Sequence, residues 1–246
     1  MDNTTYIALS RMDTEMRAMT VLANNLANAS TAGFKSSHVL FSDYLSKMKD
    51  NNGIKGADTD FYTQDRATYR DQTQGTLETT GNPLDLALVS DGYFSVQTAN
   101  GVRLTRNGRF QRMSDGRIAD ADGNVLLDRR GQAMVVPQRD VQITVAADGT
   151  VMSESGVLGE IATLTVDNQN TLQAEGGRLF RATTQTRQTP TREIRQGMIE
   201  SSNVSSMTEI TNLIQLQRDF QITASLVENE ATRRQNAIDK ITQLQS

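Results

Sequence analysis

Histidine and cysteine, two side chains that commonly carry out catalysis, are scarce in this sequence. The chain has a single histidine, His38, and no cysteine. Cysteine nucleophiles, thiolate metal sites and disulfides are therefore excluded, and one histidine cannot supply the paired-histidine spacing of a zinc centre. Neither G-x-G-x-x-G nor G-x-x-x-x-G-K, the two glycine-rich phosphate-binding patterns, occurs. His38 has Asp43 as its acidic neighbour in "KSSHVLFSDY", and we interpret it as a packing or surface residue.

Two groups of acidic residues are spaced so that their side chains could bind a metal ion or hydrolyse a glycoside. In "DADGN" (120–124) the aspartates and the asparagine match the first three ligand positions of a calcium loop. The sixth position is Val125 rather than glycine, and the twelfth is Gly131 rather than glutamate, so a β-turn is the better interpretation. Glu78 and Asp85 could be imagined as a glycosidase pair, but no other feature supports that role. The sequence therefore predicts a protein that is not an enzyme and that has no cofactor and no metal site.

The charge of the chain argues against nucleic acid as a partner. The net charge is −4 and the pI is about 5.1, whereas phosphate binding requires a basic surface. The most basic stretch, "RLFRATTQTRQTPTREIRQ" (178–196), holds five arginines and one glutamate. We interpret it as a solvated strand and loop, and an electrostatic contact with an acidic neighbouring subunit is the alternative. No apolar run approaches the roughly 20 residues of a membrane span, and "MDNTTYIALS" lacks the features of a cleaved signal peptide.

Residues 5–28 are predicted to form a helix with one apolar stripe. The stripe follows alternating spacings of three and four residues, which is typical of a coiled-coil seam. Its members are Leu9, Met12, Met16, Met19, Ala23 and Leu26. An ordinary amphipathic helix on a globular core would show the same spacing, so both interpretations stay open at this point.

The end of this helix, "ANNLANASTAGFK" (23–35), holds three asparagines, which are poor helix formers. Residues four apart share a helix face, which yields an apolar stripe, a stripe of alanines and a stripe of amides. Packed amides need hydrogen-bond partners, so we expect the asparagines to set the register against neighbouring elements. The glycine is predicted to end the helix and the phenylalanine to anchor the segment that follows. The residues of this segment predicted to belong to an assembly interface are Leu22, Asn24, Asn25, Leu26, Asn28, Gly33 and Phe34.

Residues 206–245 are predicted to form a second helix that a modest β domain is too small to cover. Ser206 and Glu209 match a capping box, and no proline or glycine follows them. At 1.5 Å per residue this helix would be roughly 60 Å long. Its apolar stripe, interrupted by Arg234, consists of Leu213, Leu216, Phe220, Ala224, Val227, Ala231, Ile238 and Ile241. The shorter N-terminal helix cannot cover the longer one, and exposed apolar surface of this kind marks an interaction site.

The middle of the chain is predicted to be β-rich. Turn pairs such as Asn107-Gly108 recur at spacings of 7 to 9 residues between apolar pieces such as "YFSVQT" and "VQITV", a pattern that predicts short antiparallel strands. We therefore predict an α+β chain in three parts. These are a terminal helical, coiled-coil domain (1–30 plus 203–246), an extended connector (31–75) and a central all-β outer domain (76–202).

Four segments resemble the signatures of the bacterial flagellar rod and hook protein family. In chain order they are "NNLANASTAGFK" (24–35), "GNPLDLALVSDGYFSVQ" (81–97), "TRNGRFQ" (105–111) and "QGMIESSNVS" (196–205). The resemblance spans nearly the whole chain. It implies a structural subunit of the flagellar axial structure, with both termini in a coiled-coil inner layer and the β domain outside. In this interpretation Ser202, Asn203 and Val204 also belong to the assembly interface.

The resemblance also implies partners and a location. It implies assembly with copies of itself and with other proximal and distal rod subunits. It further implies export in unfolded form by the flagellar type III export apparatus, without a cleaved signal peptide. The chain would lie in the periplasm-spanning rod of the basal body, with no membrane insertion.

Two other classes of protein stay open on the sequence alone. One is a secreted adhesin or fibre protein with a coiled-coil stalk, although such stalks usually have their heptads in one continuous block. The other is an extracellular hydrolase, which would need catalytic residues that this sequence does not offer.

Overall fold

The backbone divides into two units, neither of which is continuous in sequence. The computed structural model describes residues 3–47, 59–168, 171–176, 178–189 and 193–243. One unit, called the helical unit below, comprises Met1–Ala27, Ser37–Asp71 and Ser205–Ser246. The other, the β unit, comprises Asn28–Ser36 and Gln72–Val204. The backbone therefore passes between the units at four points.

The helical unit contains both terminal helices and a long β-hairpin. Its elements are α1 (Asn3–Ala27), β1 (Ser37–Lys47), β2 (Thr59–Arg70) and α2 (Ser206–Gln243). The two strands pair antiparallel, and α1 packs against α2 and against both strands. Asn25 contacts Glu209 and Thr5 contacts Arg234, so α1 and α2 run antiparallel.

The β unit consists of short antiparallel strands. They are β3 (Leu77–Thr79), β4 (Leu86–Leu88), β5 (Tyr93–Thr98), β6 (Gly101–Thr105), β7 (Gln111–Arg112), β8 (Ile118–Ala119), β9 (Val125–Leu126), β10 (Ile143–Val145), β11 (Thr150–Ser153), β12 (Gly156–Glu160), β13 (Thr163–Thr165), β14 (Leu172–Glu175), β15 (Leu179–Ala182), β16 (Arg187–Gln188), β17 (Ile194–Gln196) and β18 (Met198–Glu200).

These strands form one large sheet and several small ones. The large sheet has the order β14-β15-β6-β5-β9-β8-β7, and β13 joins it beside β5 and also pairs with β16. A three-stranded sheet has the order β10-β11-β12, and β4 pairs with β17 and β3 with β18. The predicted sequence of an N-terminal helix, a β-rich middle of short antiparallel strands and a C-terminal helix is confirmed.

The alternation of side chains along β5 builds two apolar cores in the β unit. Successive side chains of a strand point to opposite faces. Phe94 and Val96 therefore lie together in the larger core, and Tyr93 lies in the smaller one. Edge-to-face ring contacts strengthen each core. The ring centres of Phe94 and Phe110 lie 5.5 Å apart, and so do those of Tyr93 and Phe180.

One predicted hairpin turn, at Asn107-Gly108, is wrong. Gly108 is instead pressed against β4, where a Cβ atom would lie 1.6 Å from the carbonyl oxygen of Leu86. The backbone N–H of Leu86 donates to the Gly108 carbonyl at 2.9 Å. The glycine is thus required by the close approach of two backbones.

None of the described helices combines the length and the apolarity needed to cross a bilayer.

Candidate assembly site

Within its own chain, α1 buries a face of small and polar side chains. The buried residues of this helix are Ala8, Thr14, Glu15, Ala18 and Asn25, and their spacings place them on one side of it. Glu15 shows how polar this side is. One of its carboxylate oxygens binds Arg11 Nε at 2.8 Å, and the other is buried without a hydrogen-bond partner among the described residues.

The predicted apolar stripe of α1 lies on a different side of the helix. At about 100° per residue its centre is roughly a third of a turn away from the buried face. Leu9 and Met16 are 49% and 55% exposed, and Ala23 is also exposed. The α1 stripe is defined here as Leu9, Met12, Met16, Met19, Ala23 and Leu26, of which Met12, Met19 and Leu26 are half-buried.

The predicted stripe of α2 is covered along only part of its length. Leu22 of α1 is half-buried, and so are the α2 residues Leu213, Leu216, Phe220, Ala224 and Val227. Arg234 donates from Nη2 to Thr5 Oγ1, near the start of α1, at 3.0 Å. Ile238 and Ile241 lie beyond this contact and are 57% and 59% exposed. The last turns of α2 thus carry apolar side chains that α1 does not cover.

Further exposed apolar residues on α2 escaped the sequence analysis. They are Met207, Ile210, Ile214, Ile222 and Leu226, and they lie on other faces of the helix than the predicted stripe. Three of these five residues are isoleucines, a sequence signal of further apolar surface. They lie outside the heptad positions, and a heptad pattern does not include such residues.

Asn25 is the buried member of the asparagine motif. Its Nδ2 donates to the Ser37 carbonyl at 2.9 Å and to Glu209 Oε2 at 3.4 Å, and its Oδ1 accepts from the Ser37 N–H at 2.9 Å. This one amide therefore joins α1 to the first residue of β1 and to the first turn of α2. Asn24 is exposed and Asn28 is half-buried.

The predicted capping box of α2 is wrong in its pairing. The helix begins at Ser206, but the Glu209 carboxylate lies against Asn25 instead of returning to the helix start. Ser205 precedes the first helical residue and organises this end. Its carbonyl accepts from the Glu209 N–H at 3.0 Å, and its hydroxyl contacts Thr208 Oγ1 at 2.9 Å. The cap lies one residue earlier than predicted, which frees Glu209 to bind α1.

In the β unit, Gly33 brings the segment after α1 into close contact with another backbone. Its φ is +71°, and a Cβ atom here would lie 2.3 Å from the carbonyl carbon of Arg106. Its N–H donates to the Glu200 carbonyl of β18 at 2.8 Å. Only glycine combines this positive φ with room for the Arg106 backbone, because it has no Cβ atom. The next residue, Phe34, is buried.

Glu200 binds two cations in the interior of the β unit. Lys35 Nζ lies 2.5 Å from Glu200 Oε1, and Arg106 Nη1 lies 3.1 Å from Glu200 Oε2. Lys35 and Glu200 are 2% and 1% exposed. Arg106 also lies over the ring of Tyr93, with its guanidinium carbon 5.4 Å from the ring centre, a favourable cation–π arrangement.

Asn203 binds the same segment from the C-terminal side. Its Oδ1 accepts from the Ser36 N–H at 2.7 Å, and its N–H donates to the Phe34 carbonyl at 3.4 Å. Its Nδ2 donates to the Thr73 carbonyl at 3.1 Å. Ser202 and Val204, on either side of it, are half-buried.

Lys35, Arg106 and Glu200 do not stand out in the sequence. Lys35 and Glu200 are the only charged residues of "AGFK" and "MIESSN", and Arg106 is one of two arginines in "TRNGRFQ". That was the only available signal, because Lys35 and Glu200 are 165 residues apart and no local pattern shows that they meet.

The four arginines of the basic stretch that the structure describes pair with carboxylates of the same unit. The pairs are Arg178–Asp122 (2.8 Å), Arg181–Glu175 (3.4 Å), Arg187–Asp167 (3.1 Å) and Arg195–Glu193 (3.3 Å). Exposed pairs of this kind contribute little to stability.

The other candidate side chains organise their own surroundings. The Asp120 carboxylate accepts three hydrogen bonds from its own loop, as a turn requires. The Asp85 carboxylate accepts two, from Thr80 Oγ1 at 2.7 Å and from Asn82 Nδ2 at 3.1 Å. His38 stacks on Tyr69, with ring centres 5.3 Å apart. Among the described residues, no group of three or more His, Cys, Asp or Glu side chains could hold a metal ion. What this part of the chain offers is packing surface and a buried ionic cluster.

Sequence models of flagellar families match three segments of the chain. Residues 6–35 match "flagella basal body rod protein", residues 87–153 match "flagellar hook protein FlgE/F/G D1 domain", and residues 195–239 match "flagellar basal body rod FlgEFG protein C-terminal". The ionic cluster takes one residue from each matched segment: Lys35, Arg106 and Glu200.

Relatives match over nearly the full length. The flagellar basal-body rod protein FlgF of Caulobacter vibrioides is 34% identical and covers 98% of each chain. FlgF of Mesorhizobium japonicum is 31% identical and covers 97% of each chain. FlgG of Bacillus subtilis is 30% identical and covers 90% of this chain and 92% of its own.

Helical ends around a β-rich middle and these full-length matches define the class: the chain belongs to the flagellar basal-body rod protein family. Within that family it is FlgF-like. FlgG is the alternative, since FlgG relatives also match over most of the chain.

Proposed function

We propose that this FlgF-like chain is a structural subunit of the proximal rod, and that its terminal helices pack against those of neighbouring subunits. The observation that carries the proposal is the α1 stripe, which contains two leucines and three methionines and whose members Leu9, Met16 and Ala23 are exposed. A rod requires contacts that repeat without closing on themselves. A continuous apolar stripe on a stiff helix suits such a contact.

The face that joins α1 to α2 within the chain supports this proposal. Its buried residues include Thr14, Glu15 and Asn25 on α1, and Glu209 and Thr223 on α2. Burying polar groups gains little, since each must replace the hydrogen bonds it made with water. The most deeply buried residues of the intrachain pairing are thus largely polar, and the exposed members of the α1 stripe stay available to a neighbour.

The uncovered end of α2 provides a second surface. Ile238 and Ile241 continue the α2 stripe past the start of α1, and a neighbouring helix that occupied this face would complete a coiled-coil layer. Such a layer of long helices would be stiff enough to transmit torque, with the β unit forming the outer wall. Asn24, Asn28 and the segment Ser202–Val204 remain proposed members of this interface.

Family membership also supports the proposed partners and route. We propose that the subunit contacts copies of itself and other proximal and distal rod proteins. We further propose that the flagellar type III apparatus exports it unfolded and without a cleaved signal peptide, to the periplasm-spanning rod. In this proposal the protein catalyses no reaction.

The test is the double substitution Leu9→Lys with Met16→Lys. Both side chains are exposed in the free subunit, so its unfolding temperature should stay unchanged. In the rod two lysine charges would be buried in an apolar contact, which costs several kcal/mol. The amount of subunit in isolated basal bodies should therefore fall by at least about tenfold.

The matched control is Val102→Lys on β6, because Val102 is exposed to a similar extent (50%) but lies in the β unit. This variant should enter basal bodies at the wild-type level. Incorporation of the Leu9→Lys/Met16→Lys variant at the wild-type level would refute the role of the α1 stripe.

A further inference from the structure

The segment Asn28–Ser36 is a nine-residue insertion of chain into the β unit. The residues before and after it, α1 and β1, both belong to the helical unit. No strand of the β unit is therefore covalently next to this segment, and noncovalent contacts must hold the segment in the β unit. These are the contacts of Gly33, Phe34, Lys35 and Ser36 with the segment around Glu200.

Glu200 takes part in this attachment with both its backbone and its side chain. Its carbonyl accepts from the Gly33 N–H, and its carboxylate binds Lys35 and Arg106. The same carboxylate accepts from the Gly75 N–H at 3.1 Å. Lys35 in turn donates to the Thr73 carbonyl at 2.7 Å.

Glu200 also lies just before the point at which the chain leaves the β unit for α2. Three residues later, Asn203 binds Ser36 and Phe34 of the inserted segment. The segment that follows α1 and the segment that leads to α2 are therefore hydrogen-bonded to each other within the β unit.

Arg106 depends on the same carboxylate. Glu200 is its one ion-pair partner in the described part of the chain, and its Nε is buried there without a hydrogen-bond partner. A buried cation that loses its counter-ion is strongly destabilising. Loss of the Glu200 charge would therefore act on this junction far more than on the larger apolar core around Phe94.

We propose that Lys35, Arg106 and Glu200 form a clamp that positions the two segments connecting the β unit to the terminal helices, 28–36 and 201–204, so that force on those helices enters the β unit at one place. These are positioning residues, which act through the segments that they hold. The role in transmitting force rests on the proposed rod function. The clamp itself is a property of the free subunit and can be tested without a rod.

The first test is hydrogen exchange on full-length Glu200→Gln, an isosteric change that removes the charge. Exchange at the Gly33, Ser36 and Gly75 amides should become about 100-fold faster. Exchange at the core amides of Ser95 and Leu127 should stay at the wild-type rate. An equal acceleration at the core amides, or none at the three clamp amides, would overturn the proposal.

Two further variants keep this test decisive. Glu175→Gln breaks another ion pair of the β unit, with Arg103 at 2.6 Å, and should leave the three clamp amides unchanged. If Glu200→Gln does not fold, Lys35→Met retains the Arg106–Glu200 pair, and it should accelerate exchange at Gly33 and Ser36 by about tenfold. Wild-type exchange at both amides in Lys35→Met would then refute the clamp.

The second test measures load directly. When the full-length chain is pulled by its two ends, the force reaches the β unit at Asn28 and Val204. These residues are the outer ends of the two segments that the clamp holds. The force that ruptures the β unit should be lower for Glu200→Gln than for the wild type or Glu175→Gln. Equal rupture forces would exclude a load-bearing clamp. Both clamp tests use free subunits, whereas the α1-stripe experiment measures incorporation into basal bodies. Failure of the clamp proposal can therefore be distinguished from failure of the proposed rod function.

Discussion

At the scale of single residues, burial separates side chains that look equivalent in the sequence. Asn24 and Asn25 are adjacent, yet Asn24 is exposed and Asn25 is buried with hydrogen bonds to two other elements. The motif shows that amides are needed but does not show which one is buried, because that depends on where β1 and α2 lie. Glu200 is a stronger case, since its partners come from three distant parts of the chain.

Asp140 gives the β unit a predictable response to acid. It is buried, and hydrogen bonds from Ser153 Oγ (2.6 Å) and Ser155 Oγ (2.7 Å) hold the pKa of its carboxyl below the ordinary value of 3.8. A carboxyl with a depressed pKa in the folded state stabilises the fold above its unfolded pKa. That contribution is lost as the pH falls through the folded pKa.

We therefore predict that Asp140→Asn lowers the unfolding temperature at neutral pH and that its difference from the wild type shrinks in acid. Thermal unfolding measured between about pH 5 and pH 2 checks this. Asp91→Asn is the control, because the Asp91 side chain is exposed and makes no hydrogen bond within the described residues. A difference between Asp140→Asn and the wild type that stays constant over this range would contradict the explanation.

At the scale of elements, periodicity predicts that a helix forms but not which face its own chain covers. The 3/4 spacing in α1 and α2 correctly predicts two terminal helices. In α1, however, the most deeply buried residues include Ala8, Ala18 and Asn25, whereas Leu9 and Met16 of the predicted stripe are exposed. A sequence pattern cannot separate a face that binds α2 of the same chain from a face available to another subunit, since both are helical surfaces with the same period.

The helical unit should depend on Asn25 much more than on Asn24. Asn25→Ala removes the partner of the half-buried Ser37 N–H and of the buried Glu209 carboxylate, which should cost about 1–3 kcal/mol. Hydrogen exchange along α1, β1 and α2 measures this loss, while the amides of the β unit serve as the internal reference. Asn24→Ala should change the stability of the helical unit by less than about 0.5 kcal/mol. Equal losses from the two substitutions would show that the Asn25 bridge does not stabilise the helical unit.

At the scale of the whole molecule, the family signatures describe one connected arrangement. The three segments that match flagellar families each contribute one residue to the Lys35–Arg106–Glu200 cluster. The order of helix, β-rich middle and helix was predictable, because turn pairs and helical periods are local signals. The ionic cluster was not, because it forms only when the β unit brings distant strands together.

The central claim is that the α1 stripe is buried against neighbouring subunits in the rod. Because the chain has no cysteine, Met16→Cys introduces a single thiol whose rate of maleimide labelling reports on this stripe alone. The account predicts fast labelling in the free subunit and labelling at least about tenfold slower in isolated rods, where a neighbour would cover the site. Equal labelling rates in the free and assembled states would contradict it.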